Sequence, residues 1–157
     1  MEITLITIGR TSIPYIVEGI EEYRTRLRRY TPYEIVTLPD IRNARKLTHE
    51  QQKEAEGKQI LEAVGKSDFV FLLDERGRQY KSTDFATLLQ KKMSSGLKRL
   101  VFVVGGPYGF SKEVYDRADA LFSLSLMTFN HEMVRLFFTE QVYRAMTILR
   151  GEPYHHE

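Results

Sequence analysis

The stretch from Leu100 to Phe110, LVFVVGGPYGF, constrains the chain most, because five apolar residues without a charge run directly into two glycines, a proline and a third glycine. Leu100, Val101, Phe102, Val103 and Val104 are mostly β-branched or aromatic, as expected of a strand covered on both faces. Gly105, Gly106 and Gly109 then let the main chain come close to something else, although a tight turn that needs positive φ explains these residues equally well on their own. Helical patterns lie before and after the strand. Open α/β sheets place ligands at the carboxyl ends of such strands, so a ligand is expected here.

The remaining segments read as alternating strands and helices. Ile3–Ile8 is a strand, and Gly9–Ser12 turns into a helix with Ile13, Ile16, Val17 and Ile20 on one side. That helix continues to Tyr30 and is stopped by Thr31 and Pro32. Its end carries Arg24, Arg26, Arg28 and Arg29 between Tyr23 and Tyr30. Guanidinium groups with aromatic neighbours suit phosphate contact and base stacking, while a solvated helix end is the commoner use of such a run. Tyr33–Leu38 is a second strand between two prolines, followed by a polar loop with Arg42, Arg45 and Lys46. Thr48 and Gln51 form a capping-box pattern for a helix whose buried side holds Ile60, Leu61 and Val64, with Gly65 at its end.

Phe69–Leu73 is a third strand without a polar residue, ending in Asp74, Glu75, Arg76 and Gly77. Ser82 opens a helix with Phe85, Leu88 and Leu89 inward, and Ser111 caps a short helix that runs to Ala118. Phe122, Leu124 and Leu126 alternate with Ser123 and Ser125 as a fifth strand. Wholly apolar strands separated by helices predict an α/β fold with a parallel sheet covered on both faces. Asn130 caps a last helix, His131–Leu149, in which 11 of 19 residues are apolar. One sheet cannot cover so wide a face, so a homodimer is expected.

The 157 residues fit one domain, and no stretch approaches the ~20 apolar residues of a membrane span. Met1–Ser12 lacks the basic then apolar order of a signal peptide, and the absence of cysteine fits a reducing cytoplasm. Net charge is only +2, so nucleic-acid affinity must come from local patches. Neither a GxGxxG nor a GxxxxGK[ST] fingerprint occurs, and no two histidines are spaced one helical turn apart, so no metal is expected.

Four pieces taken together resemble one family: LLDERGRQYKS at 72–82, VVGGPYGFS at 103–111, LSLMTFNHEMVRLFFTEQVYRA at 124–145 and the terminal GEPYHHE. In order and over nearly the whole length they are similar to the RlmH family of ribosomal RNA large-subunit methyltransferases. The resemblance implies a single SPOUT domain over residues 1–157, an α/β fold with a mostly parallel sheet flanked by helices and a C-terminal trefoil knot. It also implies a dimer and transfer of a methyl group from S-adenosyl-L-methionine to N3 of a pseudouridine in 23S rRNA, within the large subunit or the whole ribosome. The pattern alone shows only an α/β sheet, since chains rarely thread loops.

By position, the implied cofactor site is Leu73, Gly105 with Gly106, and the run Leu124, Ser125, Leu126, Met127, Thr128 and Phe129. The family usually has proline in place of Asn130, and commonly arginine or lysine in place of His156. Removal of the imino proton needs a base, for which His131, His155 and His156 are candidates, with Arg135 and Arg144 as stabilisers of the developing anion. Arg24, Arg26, Arg28, Arg29 and Tyr154 are the candidate RNA contacts. A non-catalytic RNA-binding module and an enzyme with another nucleotide cofactor remain the alternatives; S-adenosyl-L-methionine binding separates all three.

Overall fold

The computed structural model describes residues 1–156. Its strands are β1 (Glu2–Ile8), β2 (Tyr33–Leu38), β3 (Phe69–Gln79), β4 (Arg99–Val104) and β5 (Ala120–Ser123). Its helices are α1 (Pro14–Leu27), α2 (His49–Ala63), α3 (Ser82–Ser94), α4 (Lys112–Arg117) and α5 (Met133–Leu149). The strands form one sheet in the order β2-β1-β4-β3-β5, and every pairing is parallel. All five carboxyl ends therefore meet at one edge, which collects the loops that leave them.

Alternation along the strands divides the core into two layers. Ile3, Leu5, Phe71, Leu100 and Phe102 face α1, α3 and α5, packing on Leu27, Phe85, Leu89, Phe138 and Val142. Ile6, Val70, Leu72, Val101 and Val103 face the opposite way, against Ile60 of α2 and Val114 of α4. The first layer is built on aromatic rings: Phe102 lies 5.0 Å from Phe71 and 4.7 Å from Phe138, centroid to centroid. Burying each such side chain contributes about 1.5–3 kcal/mol, so this layer holds the helices against the sheet.

Several boundaries differ from the sequence reading. The third strand does not stop at Leu73; after a bulge, Arg78 and Gln79 pair again with Phe122 and Ser123 of β5. Gly77 permits this second pairing, because a Cβ there would sit 2.5 Å from the Phe122 nitrogen. The fifth strand ends at Ser123 instead of running on through Leu126. Ser123 Oγ donates to the Ser125 carbonyl (3.1 Å) and Ser125 Oγ accepts from the Met127 N–H (3.0 Å), so these hydroxyls stabilise a turn that the alternating pattern concealed. Val17 is 44% exposed rather than inward. The last helix begins at Met133, two residues later than expected, although Asn130 Oδ1 does accept from the Glu132 N–H (2.9 Å).

The N-terminus of α1 has no cap of its own, since Ile13 offers no side-chain oxygen. Glu132 supplies one from 119 residues further along: its carboxylate accepts from the Ile13 N–H (2.9 Å), the Ser12 N–H (2.7 Å) and the Ser12 hydroxyl (2.8 Å). The Ile13 N–H foremost, then Ser12, holds the Glu132 carboxyl below the usual range against the opposing effect of burial. A depressed carboxyl stabilises the fold above its unfolded pKa, and that stability is lost as pH falls through the folded value. Glu132→Ala is expected to cost about 2–4 kcal/mol at neutral pH and progressively less below pH ~4.3, as followed by urea unfolding at several pH values.

Candidate functional site

The bulge of β3 and the loops leaving β4 and β5 enclose a cleft of about 650 Å³ at the carboxyl edge of the sheet. Its walls are apolar at Leu73, Val104, Phe110, Phe122 and Leu124, and backbone-rich at Gly105, Gly106 and Gly109. Such a volume and mixture suit a nucleoside-sized ligand. The glycine loop cannot carry side chains without displacement. A Cβ on Gly105 would lie 3.0 Å from the Phe110 ring, and one on Gly106 would lie 2.5 Å from the carboxylate oxygens of Glu56. Gly109 has φ +83° and donates its N–H to the Gly106 carbonyl (3.2 Å), closing the turn that presents its backbone to the cleft.

Of the residues marked for the cofactor, Leu73, Gly105, Gly106, Leu124, Ser125, Met127, Thr128 and Phe129 all line this cleft. Leu126 does not, and its side chain is 76% exposed, because the turn after β5 directs it to solvent. His131 lines the mouth, with its Nε2 3.8 Å from Glu132.

Arg135 takes a different place from the one expected of an anion stabiliser. It is 2% exposed and donates to the carbonyls of Ile8 (2.8 Å) and Gly9 (2.9 Å) and to the Thr11 hydroxyl (2.9 Å). Its guanidinium fastens α5 to the end of β1, and burial lowers its pKa while Glu132 and Asp40 oppose that shift. Tyr154, His155 and His156 do not line the cleft. The tail folds back on its own α5 instead: Tyr154 donates to Glu140 (2.9 Å) with its ring edge-on to Tyr143, and His155 Nδ1 lies 3.1 Å from an Arg144 nitrogen. The same Glu140 carboxylate receives Arg144 at 2.7 Å.

Arg24, Arg28 and Arg29 border a separate groove of about 600 Å³ with Glu2, Tyr33 and Glu34. Those last residues begin β1 and β2, so the groove lies at the amino edge, roughly 20 Å from the cleft edge for strands of this length. Arg26 is paired with Glu22 at 2.8 Å and rests against Tyr23 and Tyr143.

Sequence reasoning missed a polar cluster at the cleft wall. Asp74 Oδ1 accepts from the Arg76 N–H (2.9 Å) and Nε (3.2 Å), and Tyr115 hydrogen-bonds to both Asp74 and Arg76. Burial raises the Asp74 carboxyl, but Arg76 and Tyr115 together hold it below the usual range. The cluster forms one wall of the cleft beside the glycine loop, with both Asp74 carboxylate oxygens already held by Arg76 and Tyr115. Only the DER order after an apolar strand signalled it, and Tyr115 is brought to it from α4.

The class is that of the SPOUT methyltransferases: residues 1–155 match a family described as "Predicted SPOUT methyltransferase", and the chain belongs to it. Enzymes of this class take their methyl group from S-adenosyl-L-methionine. The chain is 56% identical over 157 residues to ribosomal RNA large subunit methyltransferase H of Parabacteroides distasonis, and 55% identical to that of Porphyromonas gingivalis, covering 100% of both chains in each case. It is 54% identical to that of Christiangramia forsetii over 156 residues, 99% of each chain. The chain belongs to the ribosomal RNA large subunit methyltransferase H family.

Proposed function

We propose that this protein methylates N3 of a pseudouridine in 23S rRNA of the large ribosomal subunit, in the cytoplasm, as a homodimer whose C-terminal segment forms a trefoil knot. The observation that supports this is the glycine-lined cleft at the carboxyl edge, which is lined by most of the positions that the family resemblance implies for the cofactor. S-adenosyl-L-methionine supplies an electrophilic methyl group on its sulfonium. Leu73, Leu124, Met127 and Phe129 give the nucleoside an apolar seat, and the Gly105 and Gly106 backbone approaches it closely.

The protein must also orient the pseudouridine and remove its N3 proton. His131 faces the cleft and is the base available within one protomer; His155 and His156 are available only if a second chain brings them. An isologous dimer would do so, and the Arg24–Arg29 groove and Tyr154 would then contact the RNA bound to the partner. Leu126, in the turn after β5, and Phe137, in the first turns of α5, are exposed large apolar residues that support such an interface. Among the described residues no helix is long and apolar enough to cross a membrane, and no group of three potential metal ligands occurs.

Titration calorimetry with S-adenosyl-L-methionine, followed by methyl transfer to purified ribosomal subunits, tests the reading. Gly105→Val is expected to weaken cofactor binding at least about tenfold while the chain stays folded, because the side chain must displace Phe110 or enter the cleft. Unchanged affinity in the folded variant would remove the cleft from the account.

A further inference from the structure

We infer that the carboxyl edge of β1 and β2, joined to the tip of the glycine loop, is a docking strip for single-stranded RNA, with Tyr108 as a stacking platform and Arg42, Arg45 and Lys46 as phosphate contacts. The inference rests on the reading of rRNA as the substrate and adds where that RNA is held. Its first ground is the Gly106–Gly109 turn, which serves two sides. Pro107 and the glycines border the cleft, while Tyr108 points away and stacks on His49, with centroids 3.7 Å apart and planes 15° from parallel. With His49 against it the Tyr108 ring is still 41% exposed, and His49 is exposed too. Rings held at a loop tip beside a cleft keep little conformational freedom to lose when a base stacks on them.

The second ground is charge. The loop that leads into His49 carries Arg42, Arg45 and Lys46, all exposed, and Arg10 is exposed in the loop after β1. Among the described residues none of these four cations has an ion pair or a side-chain hydrogen bond. Arg24, Arg26 and Arg28 differ: Glu21 or Glu22 lies within 3.9 Å of each. Asp40, the acidic residue closest in sequence to the strip, turns toward Gly9 and would lie 2.7 Å from a Cβ placed there. Cations that no carboxylate neutralises keep their full attraction for phosphate. The α2 N-terminus does not compete for the anion, since Thr48 and Gln51 close it as a capping box.

The third ground is position. All strands are parallel, so the loops after β1, β2 and β4 share the edge on which the cleft opens. RNA lying along Arg42–Lys46 and Tyr108 can therefore present a neighbouring nucleotide to the cleft within a single protomer. Stacking on Tyr108 would also act directly on the turn that borders the cofactor seat.

The test uses the full chain, S-adenosyl-L-methionine and purified large subunits or ribosomes. Tyr108→Ala is expected to raise KM for the ribosomal substrate about tenfold or more, with kcat and cofactor affinity within about twofold of wild type. Tyr108→Phe keeps the π-face and is expected to behave as wild type. The triple variant Arg42→Ala, Arg45→Ala, Lys46→Ala is expected to reduce the slope of log affinity against log salt by about two, at roughly 0.7 for each single-strand contact. Normal KM and normal salt slope in these variants, with an active wild type, would overturn the strip. So would a Tyr108→Ala defect confined to cofactor binding, which would make the ring a support for the loop alone. A wild-type protein that binds S-adenosyl-L-methionine but neither binds nor methylates ribosomal RNA would overturn the functional reading itself, and with it this inference.

Discussion

Removal of residues 153–157 is expected to lower methyl transfer about a hundred- to ten-thousandfold while cofactor affinity stays within a few fold, the range lost when a proton-handling group is removed. Tyr154 and His155 rest on Glu140, Tyr143 and Arg144, so the truncation also removes packing. That part costs about 1–3 kcal/mol, less than the 5–15 kcal/mol by which domains are usually stable, so the chain should still fold. The informative form of the experiment is a mixed dimer. A truncated chain with an intact cleft is paired with a full-length Gly105→Val chain, so each inactive subunit retains what the other lacks. If the tail serves the partner's cleft, one of the two sites is complete and activity returns. A mixture as inactive as its parents would confine the tail to its own chain.

Arg135→Met is expected to lower stability by about 3–5 kcal/mol, because several buried acceptors lose their hydrogen-bond donor at once. In a domain of this size that corresponds to a fall of roughly 10 °C or more in Tm. The guanidinium bonds the carbonyls of Ile8 and Gly9 and the Thr11 hydroxyl, and methionine leaves all three without a donor. Arg135→Lys should recover little, because a single ammonium cannot span these acceptors as a planar fork does. Thermal unfolding and residual kcat, read together, decide the role. A variant with wild-type Tm and lost kcat would return Arg135 to the reaction.

The two residues that most change the picture, Glu132 and Arg135, were illegible in the sequence for the same reason. Each partner lies more than a hundred residues away, and no local pattern records that α5 returns to the end of β1. The buried strands were legible because burial on both faces leaves an uninterrupted apolar run, and β2 was found with its full bounds because two prolines delimit it. β5 was overextended, since hydroxyls that stabilise a turn look in sequence like the polar face of a strand. The cleft at the carboxyl edge was largely legible from the glycines that follow an apolar strand. The Asp74–Arg76–Tyr115 cluster was not, because its third member reaches it only through the packing of α4.

The proposed activity assigns one specific RNA methylation to the carboxyl-edge cleft. Mass spectrometry of 23S rRNA nucleosides tests it most directly, comparing cells that carry the gene, cells that lack it, and cells complemented with Gly105→Val. A 3-methylpseudouridine present in the first, missing from the second and not restored by the variant is the predicted result. An unchanged nucleoside profile across all three would contradict the account.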